Sequence, residues 1–519
     1  MDLDTGTVTS FPPLGDELYV FDLALSPDGR IYAGTYPGGK VYEIDPMTGG
    51  VHDLGPAEVG LKYVRSVAVG PDGTVYAGTG SAARLVAIDP STGARRNLLP
   101  AELLGESFVY AVAVSRDVVV AGTEPGGKLL VHQLAHPDRQ TVVASGERTI
   151  DAVAIDGRRA WFTARPSGAL YVYDIDTAAL TRVGVPCPGQ ETRGLFVRSG
   201  RVQGAAAGGL WWRWPPGSDG VVDLHGAGLR EGPEPLQSMS YAGAGRVVVG
   251  GNFGLVVHDL NCGTATRRPM TGEAKTMVSV SGKTYMGVYP GAVVQLYDHR
   301  TDEIKMVGRI GGRSNRPRDS FYDPHSRLLL LGTRNQYGHT GGALAVVDLE
   351  SSRIDTYDDI VPDQAIAAVM AHEGVAYLGT EISADGITPT ATEAILVAFD
   401  LAGRRVDWVW KPLAGAAGYV SLQWHEGLLY GVTTDSRIVV LDVPGRKVRA
   451  TGMVAQGWPG EFALYAGGLF LVTSEALLQV GADASATAVL ECLADEGWGK
   501  PLLAVDEKEG YVFTCSNSF

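Results

Sequence analysis

The sequence predicts an all-β protein, a β-propeller of about twelve four-stranded blades, and three observations lead to this prediction. Glycine supplies 69 of the 519 residues, and the apolar fraction is 45%. A unit of roughly 43 residues recurs along the whole chain. The segments between its turns are short, apolar and rich in β-branched or aromatic residues, without a helical period. Many short strands joined by tight turns explain all three.

The first two units show the pattern most clearly. Residues 20–54 and 64–98 both run strand, Pro-Asp-Gly turn, strand, loop, strand, Asp-Pro-x-Thr-Gly turn, strand. Proline presets φ in such turns, aspartate bonds the nearby backbone, and glycine adopts the positive φ of a tight reversal. Four antiparallel strands in one such unit are typical of a propeller blade.

The second strand of each unit is a marker that can be followed to the end of the sequence. It occurs twelve times. The marker segments are Ile31–Thr35, Val75–Thr79, Val118–Thr123, Ala160–Thr163, Arg201–Ala205, Val247–Gly251, Thr284–Val288, Leu328–Thr333, Val375–Thr380, Leu429–Thr433, Leu469–Thr473 and Tyr511–Cys515.

A longer period lies on top of the short one and predicts a tandem duplication. Tyr36-Pro37-Gly38 matches Tyr289-Pro290-Gly291, and Arg65-Ser66 matches Arg318-Asp319, both at an offset of 253 residues. Because rings usually contain four to eight blades, we expect two six-bladed rings rather than one ring of twelve. The predicted domains are 17–270 and 271–519, with an N-terminal strand in 1–16 closing the last blade.

The turn motifs resemble those of bacterial NHL-like and quinoprotein-like propeller repeats. The carriers of the resemblance are Ser26-Pro27-Asp28-Gly29 and Gly70-Pro71-Asp72-Gly73, and Asp45-Pro46-Met47-Thr48-Gly49 and Asp89-Pro90-Ser91-Thr92-Gly93. Residues 316–344 also resemble propeller modules found beside polysaccharide-degrading enzymes. The resemblance implies the fold alone. The tryptophan that follows Thr-Gly in true quinoproteins is absent after Thr92-Gly93, so no quinone is expected.

Charge and segment composition restrict the partners. The formal net charge of −15 disfavours nucleic acid and anionic membranes, because phosphate binding needs a cationic field. The N-terminal segment lacks the pattern of a signal peptide, and no apolar run approaches the length of a membrane-spanning helix. The four cysteines are widely spaced. The sequence therefore predicts a cytoplasmic protein.

Candidate ligand-binding positions lie where loops reach one face of a propeller, before each first strand and between the second and third strands. Cations concentrate there, although the chain as a whole is acidic. Arginine forks bind carboxylates bidentately, which favours an anionic ligand; pairing with local carboxylates is the alternative. The predicted substrate-binding residues at these positions are Arg65, Arg165, Arg193, Lys275, Arg318, Arg334, Tyr36, Glu124 and Glu381.

The loop of residues 332–342 is the densest candidate for catalysis. It contains Arg334, Tyr337 and His339 within six residues. A phenol or imidazole beside an arginine that neutralises a carboxylate suits proton abstraction next to that carboxylate. Tyr337, His339 and Tyr289 are therefore the predicted proton-transfer residues, and an ordinary polar loop is the alternative.

A tryptophan on the strand Trp211–Trp214 adds a different kind of candidate. Trp212 points opposite to Trp211 and Trp214 on an extended strand, so one face of this strand is expected to be partly exposed. Trp212 is a candidate aromatic platform for a sugar or apolar ligand. No metal ligand set or cofactor is expected.

Two functions follow from these residues. The first is a cofactor-independent lyase, isomerase or cyclase that acts on an anionic small molecule or oligosaccharide end at a channel mouth. The second is a non-catalytic propeller scaffold that binds a protein or a small ligand. A closed pocket with converging arginine, tyrosine and histidine would favour the first function, and a flat exposed face would favour the second.

Overall fold

The computed structural model describes residues 10–215, 220–224, 235–493 and 499–514. The chain divides into two compact units, residues 1–230 and residues 231–519. The described residues form an all-β structure of four-stranded antiparallel sheets, consistent with a β-propeller. One short 3₁₀ turn, Ala101–Leu103, is the helical element of these residues. Among them, no helix combines the length and the hydropathy needed to cross a membrane.

The described residues of the first unit form five sets of four strands, each in the order in which the strands follow in sequence. A single residue pair, Gly80 at the end of β6 with Phe108 at the start of β9, links the second and third sets. The strands are β1 (Tyr19–Leu25), β2 (Ile31–Tyr36), β3 (Lys40–Ile44), β4 (Val51–Pro56), β5 (Tyr63–Val69), β6 (Val75–Gly80), β7 (Leu85–Ile88), β8 (Arg95–Asn97), β9 (Phe108–Val114), β10 (Val118–Glu124), β11 (Lys128–Gln133), β12 (Gln140–Ala144), β13 (Thr149–Asp156), β14 (Arg159–Arg165), β15 (Ala169–Asp174), β16 (Ala179–Gly184), β17 (Thr192–Arg198), β18 (Arg201–Ala206), β19 (Leu210–Trp214) and β20 (Val222–Asp223).

The second unit contains six four-stranded sheets and a final two-stranded hairpin. Its strands are β21 (Ser238–Gly243), β22 (Arg246–Gly250), β23 (Gly254–Asp259), β24 (Thr264–Pro269), β25 (Glu273–Val280), β26 (Lys283–Tyr289), β27 (Val293–Asp298), β28 (Glu303–Arg309), β29 (Ser314–Asp323), β30 (Leu328–Asn335), β31 (Ala343–Asp348), β32 (Ile354–Asp358), β33 (Ala365–His372), β34 (Val375–Glu381), β35 (Leu396–Asp400), β36 (Arg405–Trp410), β37 (Tyr419–His425), β38 (Leu428–Thr433), β39 (Arg437–Asp442), β40 (Lys447–Met453), β41 (Pro459–Tyr465), β42 (Gly468–Thr473), β43 (Ala476–Val480), β44 (Ala486–Glu491), β45 (Leu503–Asp506) and β46 (Tyr511–Thr514).

The first strand of each sheet, called the inner strand below, contacts the inner strands of the neighbouring sheets. In the first unit these contacts run from β1 through β5, β9 and β13 to β17. In the second unit they run from β21 through β25, β29, β33, β37 and β41 to β45, and β45 in turn contacts β21. The inner strands of the second unit therefore form a closed series.

The predicted boundary between residues 270 and 271 lies inside the second unit. The sheet β21–β24, which ends at Pro269, contacts β25 on one side and β45 on the other. Most of the predicted N-terminal closing strand, residues 1–9, lies outside the described residues. The adjoining Leu14 packs against Ala33, Tyr42 and Ile44 of the first sheet.

The turns form for the reasons that the sequence suggests. The Asp45 carboxylate accepts hydrogen bonds from the backbone N–H groups of Met47 and Thr48, and Asp89 does the same for Ser91 and Thr92. Each of the twelve marker segments overlaps the second strand of a sheet. The repeat read from the sequence is thus present as local structure.

Adjacent sheets meet at a glycine near the end of the second strand. A Cβ atom on Gly78 would lie 2.7 Å from the Val109 carbonyl oxygen on the next inner strand, and a Cβ on Gly332 would lie 2.5 Å from that of Ile366. The following threonine, Thr79 or Thr333, donates a hydrogen bond to a backbone carbonyl that lies just before or in the third strand. The Gly-Thr pair therefore lets sheets approach closely and fixes the loop that follows.

We expect Gly78→Ala to destabilise the protein by about 1–3 kcal/mol, because the added methyl group must displace the backbone of β9. Urea unfolding measures this change. Gly105→Ala is the matched control, since no atom lies within 4 Å of the added Cβ, and it should change the free energy of unfolding by less than about 0.5 kcal/mol. Equal effects of the two substitutions would contradict the packing role of Gly78.

Candidate functional site

Most inner strands contain a β-bulge. In these strands, one residue outside the pairing register follows the residue that pairs with the end of the second strand. Bulges commonly re-aim side chains toward functional sites. The bulged residues are Phe21, Arg65, Tyr110, Asp151 and Arg193 in the first unit, and Lys275, Arg318, Ala367 and Val420 in the second.

A cavity of about 290 Å³ lies at the bulged positions of the second unit. Four cations line it, and no acidic side chain is among the described residues of its wall. The lining residues are Gln237, Lys275, Arg316, Pro317, Arg318, Ala367, Tyr419, Val420, Thr434, Trp458, Pro459, Gly499 and Lys500. The cavity thus contains two predicted substrate-binding residues, Lys275 and Arg318.

The two arginines of the lining are held by acids that stand outside the cavity wall. Arg318 makes a bidentate pair with Glu381, with Nε–Oε1 and Nη2–Oε2 distances of 2.7 and 3.1 Å. Arg316 Nε lies 3.3 Å from Asp385 Oδ2. Although burial acts to raise the pKa of both acids, Arg334 together with Arg318 lowers that of Glu381, and Arg334 together with Arg316 lowers that of Asp385. Both acids are therefore ionised, and their ion pairs hold the arginine side chains in place.

Arg334, predicted to bind substrate, forms ion pairs with both of these acids. Its Nη2 lies 2.7 Å from Glu381 Oε2, and its Nη1 lies 2.5 Å from Asp385 Oδ1. Nη2 also donates to Ser383 Oγ at 2.7 Å. Arg334 and Glu381 are not in the cavity wall among the described residues. Their contacts position Arg318 and Arg316.

Lys275 is a cation of the cavity whose pKa is lowered. Its Nζ lies 2.6 Å from Glu273 Oε2 and donates to Gln237 Oε1 at 2.6 Å. Burial lowers the pKa of Lys275 to about 8, and the nearby Arg316 and Arg318 act in the same direction, although Glu273 opposes them. Lys275 therefore changes its charge in the pH range just above neutrality.

The three predicted catalytic residues lie outside the described cavity wall. The Tyr337 hydroxyl accepts a hydrogen bond from Arg316 Nη2 at 3.0 Å and lies 3.3 Å from the Tyr289 hydroxyl. The Arg316 guanidinium stacks over the Tyr289 ring, 4.1 Å from its centroid. Burial lowers the pKa of His339, and the nearby Arg313 adds to this effect. The structure thus places Tyr289 and Tyr337 behind Arg316 and does not bring His339 to the cavity.

Lys500 closes the cavity at its inner end. Its Nζ lies 2.9 Å from Asp319 Oδ1 and 3.3 Å from Glu461 Oε1. A second cavity of about 280 Å³, lined by inner-strand residues such as Ser240, Ser421 and Asp319, also has Lys500 in its wall. Lys500 therefore lines both of these cavities.

In the first unit, the bulged residues form an ionic and aromatic cluster. The Arg65 guanidinium lies 4.1 Å from the centroid of the Tyr110 ring, and the Tyr110 hydroxyl donates to Glu191 Oε1 at 2.9 Å. Arg193 Nε also lies 3.2 Å from this Glu191 oxygen. Arg165 connects Asp151, at 2.5 Å, with Glu191, at 3.4 Å. The three predicted arginines are brought together, and all three lie near the Glu191 carboxylate.

The two acids of this cluster have very different proton affinities. Burial raises the pKa of Asp151 to about 7, with Arg165 opposing and Glu191 supporting the shift. Burial also acts on Glu191, but Arg165, Arg193 and Arg65 outweigh it and lower its pKa to about 2. Glu191 therefore stays ionised beside the three arginines, whereas Asp151 takes up a proton near neutral pH.

The remaining predicted binding residues have other surroundings. Tyr36 belongs to a row of aromatic rings and lies 4.4 Å, centroid to centroid, from Tyr63. Glu124 is buried, 3.8 Å from Arg148. Trp212 is only 1% exposed and packs with Leu170, Val202 and other core residues. This burial corrects the expectation of an accessible platform: an inter-sheet core position leaves no face of the indole for a ligand.

Several residues of these sites were not predicted from the sequence. Arg316 stands two positions before Arg318, and this period of two on a strand was an available signal. Asp151 occupies the same bulge position as Arg65 and could have been found by aligning the units. Lys500 and Trp458 carry no comparable local signal, because each lies outside a recognisable motif.

Comparison with known proteins extends the description of the fold. No protein-family model matches the chain, and no curated protein matches it. Among solved structures, the extracellular domain of a putative hybrid two-component system, BT4673, from B. thetaiotaomicron is similar at 16% identity, with a TM-score of 0.42, covering 98% of this chain and 70% of that one. The same extracellular domain, described as part of a putative one-component system, is similar at 15% identity, with a TM-score of 0.39 and the same coverage.

A WD40-repeat structure is similar as well. The WD40 repeats of RRP9 are 13% identical, with a TM-score of 0.35, and cover 53% of this chain and 88% of that one. The four-stranded sheets of the described residues are consistent with a β-propeller fold, and membership of the NHL-like group is not confirmed. The prediction of a cytoplasmic protein is not supported by these comparisons, in which the two structures that cover 98% of this chain are described as extracellular domains.

We expect Asp151→Asn to change the pH dependence of stability. The folded-state pKa of Asp151, about 7, is above its ordinary value of 3.8, so its stabilising contribution is complete below about pH 4 and is lost as the pH rises through 7. Urea unfolding from pH 4 to 8 should show a steeper loss of unfolding free energy in the wild type than in the variant. Parallel curves would contradict the proton uptake assigned to Asp151.

Proposed function

We propose that the second unit binds a small anionic ligand in the cavity between Lys275 and Lys500. The observation that supports this proposal is the asymmetry of the wall: Lys275, Arg316, Arg318 and Lys500 line one cavity, while their acidic partners stand outside it. An anion that enters meets cations already oriented by hydrogen bonds, which lowers the cost of ordering them on binding. The protein is then a ligand-binding scaffold.

The architecture that we propose for this unit is a seven-bladed ring. Six four-stranded sheets and the hairpin β45–β46 make seven inner strands, and the contact of β45 with β21 supports closure of the ring. This count replaces the six blades expected for the C-terminal half. In this arrangement the bulged residues of successive blades face one channel mouth.

Isothermal titration calorimetry with inorganic phosphate tests the proposed function. We expect saturable binding that Lys275→Met weakens about tenfold, because one charge-assisted contact is worth about 1.5–3 kcal/mol. Binding should also weaken as the pH rises from 7 to 9, since Lys275, with a pKa of about 8, loses its charge over this range. The variant should lack most of this pH dependence.

Lys305→Met is the matched control for this experiment. Lys305 lies on β28, is about half exposed and is paired with Glu303, so its substitution should leave phosphate binding unchanged. Absence of phosphate binding in the wild type, or an equal loss in both variants, would contradict the proposed site.

The second candidate function is proton-transfer chemistry on a bound carboxylate, a lyase or isomerase reaction without a cofactor. Lys275 supports it, because a lysine with a pKa of about 8 can act as a general base near neutral pH. In this proposal Arg316 and Arg318 hold the carboxylate. Lys275 takes the proton-transfer role that the sequence had suggested for Tyr289, Tyr337 and His339.

Deuterium exchange tests this second candidate. If Lys275 acts as a base, the C3 methyl protons of pyruvate, next to its keto group, should exchange with D₂O faster in the presence of the protein, and Lys275→Met should reduce the acceleration at least a hundredfold. Proton NMR follows the loss of the methyl signal. Exchange at the same rate with the wild type and the variant would exclude Lys275 as the base.

A further inference from the structure

We infer that the ligand of the second unit is amphipathic: a small phosphate or carboxylate that carries an aromatic or branched aliphatic group. This inference rests on the proposed anion site and names its ligand class. It follows from the division of the cavity wall into two halves that are supplied by different sheets.

The cationic half comes from neighbouring sheets. Gln237 precedes β21, Lys275 lies on β25, and Arg316 and Arg318 lie on β29. These strands contact one another in this order. An anionic group can therefore reach three cations on one side of the cavity while the rest of the ligand extends away from them.

The opposite half is almost free of charge. Ala367 on β33, Val420 on β37 and Pro459 on β41 form it, and Trp458 stands at its edge. Ala367 and Val420 occupy the same bulge position as Lys275 and Arg318. An inorganic anion alone would leave this apolar surface in contact with water. A ligand with an apolar group would bury it, which is favourable.

The small side chains of this half are also the reason that space exists at this position. In the first unit, the bulge positions carry Phe21, Arg65, Tyr110, Asp151 and Arg193, whose side chains contact one another or shared partners. In the second unit, Ala367 and Val420 replace such large groups on two adjacent sheets. These two residues lie on β33 and β37, the two inner strands that follow the arginine-bearing β29 in the series of contacts.

Trp458 supplies a flat apolar surface for the ligand body. Its side chain is 54% exposed, although tryptophan is normally largely buried. Its backbone is fixed on both sides, because Trp458 N donates to Ser474 Oγ at 3.0 Å and Ser474 N donates to Trp458 O at 3.0 Å. A ring stacked on this indole, with its charged group toward Arg318, would use both halves of the cavity.

Paired titrations with inorganic phosphate and phenyl phosphate test the inference. We expect the wild type to bind phenyl phosphate about tenfold more tightly than phosphate. Trp458→Ala and Ala367→Leu should bring this ratio close to one, by removing the stacking surface and by filling the apolar half. Lys275→Met should weaken the binding of both ligands and keep the ratio near tenfold.

Tyr511→Ala is the matched control, since Tyr511 is similarly exposed, at 59%, and does not line the cavity. It should keep the tenfold ratio. If the wild type binds phosphate but shows a ratio near one, the amphipathic ligand class is wrong and the anion site stands. If the wild type binds neither ligand, the proposed function itself fails. A ratio that stays at tenfold in Trp458→Ala and Ala367→Leu would also overturn the assignment of the apolar half.

Discussion

The contact on which the structure depends is the approach of one inner strand to the glycine of the preceding sheet. At Gly34, Gly78, Gly122 and Gly332, a Cβ atom would lie between 2.5 and 3.2 Å from a carbonyl oxygen of the next inner strand. Only a residue without a side chain allows this distance. The repetition of this contact stacks the sheets face to face, and buried clusters such as that of Val64, Val75 and Val86 fill the space between them.

The β-bulge that most inner strands contain lies next to this packing contact and supplies the residues of the candidate sites. The pairing that places Val20 opposite Thr35, or Ile366 opposite Thr380, leaves the next residue unpaired. This bulged residue does not follow the alternation of side chains that buries its neighbours on the strand. Its residue type can therefore vary without disturbing the hydrophobic core. This freedom explains how one architecture carries a filled ionic cluster in the first unit and a cavity in the second.

Charge balance determines which groups a ligand can meet. The chain has an excess of acidic residues, with a net charge of −15, yet the cavity wall is cationic. Glu381 and Asp385 pair with Arg318, Arg316 and Arg334 without lining the cavity, which reduces the repulsion among these like charges. Removing one of these acids would leave the arginines without the partner that orients them.

The sequence by itself determined the repeat, the turns and the candidate positions, because these depend on local residue types: Pro-Asp-Gly reversals, Gly-Thr strand ends and the residue that enters each inner strand. Lys275 and Arg318 were found in this way. Only the tertiary structure decided the division of the units, the burial of Trp212 and the convergence of Arg316, Trp458 and Lys500. These depend on contacts between residues far apart in the chain, such as Lys500 with Asp319, 181 positions away, which no local pattern encodes.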